Sequence, residues 1–357
     1  MVPPIEARGR WPGRQRGSSE AFLVVGVFAI LALGSNGSRS LEAHDGLHVD
    51  IDKITAQIAA ETAPRADLYL IRARLLRHHG KPTEALADCD RAAELIRDGD
   101  PSWLARAEVP LERGLVLLAL EQPEKALPYL ERVIEHAKGR YPEAYDARGW
   151  IRYAKGEFES ALADADSAFE ASPTPDRALR RGAWWEERGL LDRAAASYRD
   201  SIAKLGPSRL VQDRLIAVET ARGEYESALA LIEEELARAA VKTIWLLRRA
   251  EVYAAAGNDQ RCATELEAAL TEANRVLERR RLPVHLVVRA EVFLALGDWD
   301  RAEGDVREAL TVVPNFPRAE ELLVEIGNRR DSKNVNRAPK DRAPADRAKQ
   351  EGESRAN

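Results

Sequence analysis

Small residues recur along the chain inside amphipathic stretches, and their spacing carries the architecture. Ala85, Ala126, Ala161, Ala194, Ala228, Cys262 and Ala302 each stand at the centre of a short step such as EAL, KAL, SAL or RAA. The steps between them are 41, 35, 33, 34, 34 and 40 residues. A short turn lies five residues before most of them and carries glycine at Gly80, Gly156, Gly189, Gly223, Gly257 and Gly297. A period near 34, with a helix on each side of a turn, predicts an all-α helix–turn–helix solenoid of about seven repeats. Such arrays offer extended concave binding surfaces, which favours a protein that holds other molecules over one that converts them.

The ends of the array are legible from the same pattern. Leu47, Ile51, Ile54 and Ile58 keep helical spacing and outline a helix that stops before Pro64. Residues 44–65 are therefore expected to cap the N-terminal end, and the seven pairs to fill 66–316. Extra residues fall around Arg97–Pro101, and the second helix of the sixth repeat continues through Arg279–Arg281 until Pro283. A capping helix is expected over 317–327, with Gly327 suited to its C-cap. From Asn328 almost nothing apolar larger than alanine remains, so 328–357 is expected to be a disordered, charged tail.

Charge is distributed unevenly about a formal net of −5. Residues 1–20 carry +2 and residues 328–357 carry +4, which leaves −11 on residues 21–327. An acidic body argues against nucleic acid as the main ligand, because phosphate binding needs a basic surface. Arg8, Arg10, Arg14 and Arg16 precede an unbroken apolar run from Ala21 to Leu33. That length suits the core of a signal peptide and falls short of the ~20 residues that span a bilayer. Residues 1–43 are accordingly expected to be a signal peptide or membrane anchor, cut after Gly34 or after Ala43 if cleaved, and the body an exported one. Any membrane association would run through this segment alone. Cys89 and Cys262 fall in the first and sixth repeats, too far apart in the array to bridge within one molecule.

The repeated residues resemble the tetratricopeptide repeat family. In the third repeat Gly149 is the small residue of the first helix, Ala161 that of the second, and Pro173 the closing proline. Gly182, Ala194 and Tyr198 fit the fourth repeat, and Ala290, Phe293, Ala302 and Pro314 the seventh. Small residues let two helix axes approach, and large ones fill the space between successive pairs. Two departures stand out. The leucine expected before the small residue is arginine at Arg72, Arg113, Arg148, Arg181, Arg249 and Arg289, with Leu215 the exception. The fifth repeat also carries Ile216 in place of the small residue and Glu219 in place of a bulky one, which makes it the expected weakest unit. The arginine heads either reach carboxylates and water over covered apolar surface, or form a ladder for an anionic partner.

The resemblance implies a concave ligand face lined by the first helices. It places Glu143, Asp146, Trp150, Tyr153 and Asp176 there, as an acidic groove with central aromatics for a protein or peptide partner, a basic one included. The rings compete for that role with packing against the next repeat, and of Trp184 and Trp185 at least one belongs to the core. The lysine–asparagine pairing by which some family members grip a peptide carboxylate is missing at the matching positions. His44 and His48, four apart, are the one metal-like pair, and support an alternative in which the protein handles a metal in the cell envelope. No phosphate loop, Cys-x-x-Cys or G-x-S-x-G elbow occurs, so neither catalytic residues nor a cofactor are expected.

Overall fold

The computed structural model describes residues 41–96, 102–137 and 139–337, with side chains described from 50 to 330. All regular elements among them are helical. A first helix, α1 (Leu41–Ala60), precedes seven pairs: α2 (Ala66–His78) with α3 (Pro82–Glu94), α4 (Val109–Ala119) with α5 (Pro123–Ala137), α6 (Pro142–Ala154) with α7 (Phe158–Ala171), and α8 (Pro175–Glu187) with α9 (Leu191–Leu205). The series continues with α10 (Arg209–Arg222) and α11 (Tyr225–Arg238), α12 (Thr243–Ala255) and α13 (Asp259–Arg279), and α14 (Pro283–Ala295) and α15 (Trp299–Val312), and ends in α16 (Pro317–Arg337). The chain divides into two compact units, residues 1–218 and 219–357. The division falls inside α10, the helix whose sequence departs most from the repeat pattern.

From α1 to α9 and from α11 to α16 each helix packs on the next, and first helices also touch those of a neighbouring repeat, as α2 does α4 and α12 does α14. The pairing follows from the small-residue column. Ala85, Ala126, Ala161, Ala194, Ala228 and Ala302 are all fully buried. Opposite them stand small residues of the first helices: a Cβ added to Gly149 would lie 3.4 Å from the carbonyl oxygen of Ala161, and one added to Gly114 3.6 Å from that of Ala126. At Gly182 the approach is closer still, because a Cβ would fall inside the Tyr198 ring. Leucines, valines and larger rings then close the layers between pairs, as Leu130, Phe169 and Ile232 do at complete burial.

The turn inside each repeat is one motif used seven times. After α2 the Gly80 amide bonds the Arg77 carbonyl at 3.1 Å and the Lys81 amide the Leu76 carbonyl at 2.9 Å. This double closure satisfies the last helical carbonyls and needs one residue with positive φ. Gly80, Gly156, Gly189, Gly223, Gly257 and Gly297 supply it at φ between 71° and 80°. The second repeat has Glu121 in the equivalent place, at φ 58°, making the same pair of bonds from Glu121 and Gln122. A side chain there is strained, since left-handed backbone crowds Cβ against the carbonyl.

Two boundaries differ from the sequence reading. The N-terminal cap begins at Leu41 and ends at Ala60. The C-terminal cap does not stop at Gly327 but continues to Arg337. Ion pairs beyond the glycine tie this extension down: Arg330 meets Glu303 and Asp300 of α15, and Arg329 meets Glu325 at 2.7 Å. The tail beyond 337 and the segment 1–40 lie outside the described residues. Both cysteines are free thiols, and burial pushes Cys89 up to about 12, which keeps it protonated and inert.

Replacing Glu121 by glycine is expected to raise stability by roughly 1 kcal/mol, read as a higher urea midpoint, because it relieves the positive φ. Gly182→Leu is expected to lose the cooperative unfolding transition, since Tyr198 has nowhere to move; a parental melting curve would place that helix contact elsewhere.

Candidate functional site

The first helices of unit 1 bring together the residues expected to form a binding face, with one major correction. Trp150 and Tyr153 do share a face of α6, but they are buried, at 9% and 7% exposure. Trp184 from α8 enters between them. It meets Trp150 edge-on, with centroids 5.2 Å apart, and stacks on Tyr153 at 4.6 Å. Tyr153 in turn meets Phe158 of α7 edge-on at 5.2 Å. Gly149 lies beside the indole: a Cβ there would already touch Trp184 at 3.5 Å, so a side chain larger than alanine would crowd it. The rings therefore form the core between the third and fourth repeats and do not line an open groove. Trp185 is half-buried, so of the two adjacent tryptophans Trp184 is the core residue.

The acids are also differently placed from expectation. Asp146 is partly buried and held by two arginines of the next repeat: Arg177 at 2.8 Å and Arg180, which also lies over the Trp150 ring. Its charge is matched within the fold. Glu143 remains half exposed, with Arg177 at the edge of contact at 3.9 Å, and Asp176 is exposed at the start of α8. Only these two of the five expected residues offer an accessible carboxylate.

Asp146 belongs to a series that residue-by-residue inspection of the sequence overlooked. Arg77 forks onto the deeply buried Glu112 at 2.6 Å, and Arg74 reaches Glu108 at 3.3 Å. Glu186 accepts from Arg214 and, at 2.7 Å, from the Tyr198 hydroxyl. Burial and the Glu186 carboxylate push the Tyr198 phenol well above its ordinary value, so it serves only as a neutral donor. The first-helix joints from α2 to α4, α6 to α8 and α8 to α10 are thus stapled by cross-repeat ion pairs. The signal was present as opposite charges one period apart, Arg74 with Glu108 and Asp146 with Arg180, each 34 residues on.

The arginine column is satisfied inside the repeats. Arg72 binds Asp88, Arg148 binds Asp164, Arg249 binds Glu265 and Arg289 binds Asp305, always sixteen residues ahead. Each acid sits three residues after the small residue of its second helix, so the ion pair flanks the helix contact. Arg113 differs, pairing back to Asp90 and lying over Tyr129. Where the column has Leu215, the position sixteen ahead is Leu231, apolar for apolar. The heads are engaged with carboxylates, and the column is not a ladder for an outside anion.

His44 and His48 fall in the first turns of α1, and their side chains lie outside the described residues. Among the described residues no group of three or more His, Cys, Asp or Glu side chains is gathered as a metal would require, and no helix is long and apolar enough to cross a membrane.

Residues 111–174 match the tetratricopeptide repeat family model. Over 230 residues the chain is 26% identical to DnaJ homolog subfamily C member 3 of Gallus gallus, covering 58% of this chain and 42% of that protein. The chain thus spans less than half the length of this curated relative. Yeast Tom70 superposes with a TM-score of 0.51 at 14% identity, covering 94% of this chain and 69% of that one. A tetratricopeptide repeat protein from Parabacteroides merdae aligns at 18% identity and TM-score 0.44, over 73% of this chain and 98% of its own. At such identities the structural likeness speaks for the fold alone.

Truncating Trp150 to alanine is expected to cost about 3–5 kcal/mol of stability, as for a large ring removed from a core. Trp150→Phe is expected to recover most of it. A Trp150→Ala protein that unfolds like its parent in urea would return the ring to a solvent-facing role.

Proposed function

We propose that this chain, which belongs to the tetratricopeptide repeat family, is a scaffold that holds a protein partner on the first-helix face of its N-terminal unit. The observation that carries this reading is the row of cross-repeat ion pairs, Arg74 and Arg77 with Glu108 and Glu112, Arg177 and Arg180 with Asp146, and Arg214 with Glu186. They fix charged side chains along that face. Fixed charges on a preorganised surface favour specific docking, because little ordering is left to oppose binding.

On this face Glu143 and Asp176 are the carboxylates left to read a partner, which favours a basic segment of protein. Asp146 acts beneath them as a positioning residue for Arg177. The chain is further proposed to be exported, on the strength of the arginine-flanked apolar run Ala21–Leu33. Protein isolated from its host is expected to begin between Ser35 and His44 by N-terminal sequencing; an intact Met1 recovered with the cytosol would remove export.

Crosslinking with mass spectrometry in the native host tests the binding reading. Crosslinks from a partner are expected to cluster on α4, α6 and α8. Glu143→Lys with Asp176→Lys is expected to lower partner recovery several-fold, and recovery from the parent is expected to fall as salt screens the contact. Crosslinks confined to the second helices, with the double variant unaffected, would overturn the assignment of the face.

A further inference from the structure

The joint between α8 and α10 departs from its counterparts on the first-helix face. Elsewhere the residue after the small residue of one first helix meets a residue near the start of the next, and the contact is an ion pair. Arg74, next to Ala73, reaches Glu108 at 3.3 Å. Glu291, next to Ala290, meets Arg318, the second residue of α16, at 2.6 Å. The α8–α10 crossing has the same register. Its Glu186–Arg214 pair occupies the positions of Arg77 and Glu112 in the first joint, with the signs exchanged. The residues that then correspond to Glu291 and Arg318 are Ala183, next to Gly182, and Leu210, the second residue of α10. They stand 27 residues apart, as Glu291 and Arg318 do.

An apolar step thus replaces an ion pair, and Ala183 is too short to cover its neighbour. Leu210 is 59% exposed, although Val211, Leu215 and Ile216 of the same helix are buried. An exposed leucine is ordinary by itself. This one lies beside a carboxylate that the fold leaves uncompensated. Glu187 ends α8, one turn beyond Ala183. The residues on either side of it are engaged: Glu186 accepts from Arg214 and the Tyr198 hydroxyl, and Arg188 lies over the Phe158 ring at 4.1 Å. Glu187 is exposed and has no ion-pair partner among the described residues. The surrounding protein desolvates its carboxyl and holds it above the ordinary value, and no charged neighbour offsets this. The last turn of a helix also carries partial negative charge, which favours a cation there.

The spacing of the two features fits an extended chain. Ala183 and Glu187 lie four residues apart on α8, about 6 Å along the axis. Alternate side chains of an extended segment point the same way and are about 6.6 Å apart. An apolar residue over Leu210 and Ala183 therefore brings the residue two positions away beside Glu187.

We propose that this step reads the partner's sequence: an apolar side chain of an extended segment lies on Leu210 and Ala183, and a basic side chain two positions away pairs with Glu187. The proposal rests on the first-helix reading and narrows its partner from a basic segment to one with an apolar residue and a basic residue in alternate positions.

The test titrates the full chain with the peptide acetyl-Lys-Ala-Leu-Ala-Lys-amide, which offers the basic residue in either chain direction, and follows the backbone amides of Ala183, Glu187 and Leu210 by NMR. Saturable shifts at these three signals are expected. Serine in place of the peptide's leucine is expected to weaken binding about fivefold, and norleucine in place of both lysines about threefold. Leu210→Ser changes an exposed side chain and is expected to keep the helical signal while losing the preference for leucine over serine. Glu187→Gln is expected to lose the preference for lysine over norleucine and to keep that for leucine. Absence of saturable shifts at these amides, lysine and norleucine peptides binding the parent alike, or either variant keeping the preference assigned to its residue would overturn the proposal. Crosslinking of the native partner reads the face without this peptide, so the face and the step can fail separately.

Discussion

The close crossing of two helices at a pair of small residues is the constraint on which the rest depends. In five of the seven repeats a buried alanine of the second helix faces a small residue of the first, with Ile216 in the fifth repeat and Cys262 in the sixth as the exceptions, and at Gly182 even a methyl group would enter the Tyr198 ring. That approach sets the angle and depth at which the pair closes. Everything larger is then arranged around it. The positive-φ turn returns the chain at the distance the crossing requires. The arginine next to the first small residue meets an acid three positions beyond the second, which brackets the contact with a partly buried ion pair. Such a pair adds little net stability over an apolar one but is costly to break, so it acts more on register than on energy.

Successive pairs are joined by two different means. Apolar layers fill the space between them, most densely where Trp184 slots between Trp150 and Tyr153. Across the first helices the joints are electrostatic, with arginines of one repeat on carboxylates of its neighbour. The aromatic residues, which composition alone marks as hot spots, are committed to the core. The charges, which look like a solvated face, are held in fixed positions by their partners in the next repeat.

The division of the chain into two units falls at Val218 and Glu219, inside α10. That helix belongs to the repeat with Ile216 and Glu219 at positions where other repeats carry a small and a bulky apolar residue. Both side chains are nonetheless buried, Ile216 at 2% and Glu219 at 0% exposure.

Periodicity alone determined the seven helix pairs, their turns and their small-residue contacts, because each is a local pattern repeated along the chain. Even the arginine–carboxylate pairs were open to reading, at a fixed sixteen-residue offset. Tertiary structure decided what lay between repeats. The helical spacing of Trp150 and Tyr153 places them on one face without saying whether that face meets water or the next repeat; Trp184, 34 residues on, decides it by occupying the space beside Gly149. Asp146 likewise reads as a free acid until Arg177 and Arg180 arrive from α8. The helix beyond Gly327 was missed because its support is not apolar periodicity but ion pairs to Asp300 and Glu303, 30 and 27 residues before Arg330. A side chain's neighbours along one helix are written in its own segment. Its neighbours across a packing interface depend on the crossing of two helices, and that geometry exists only once the chain has folded.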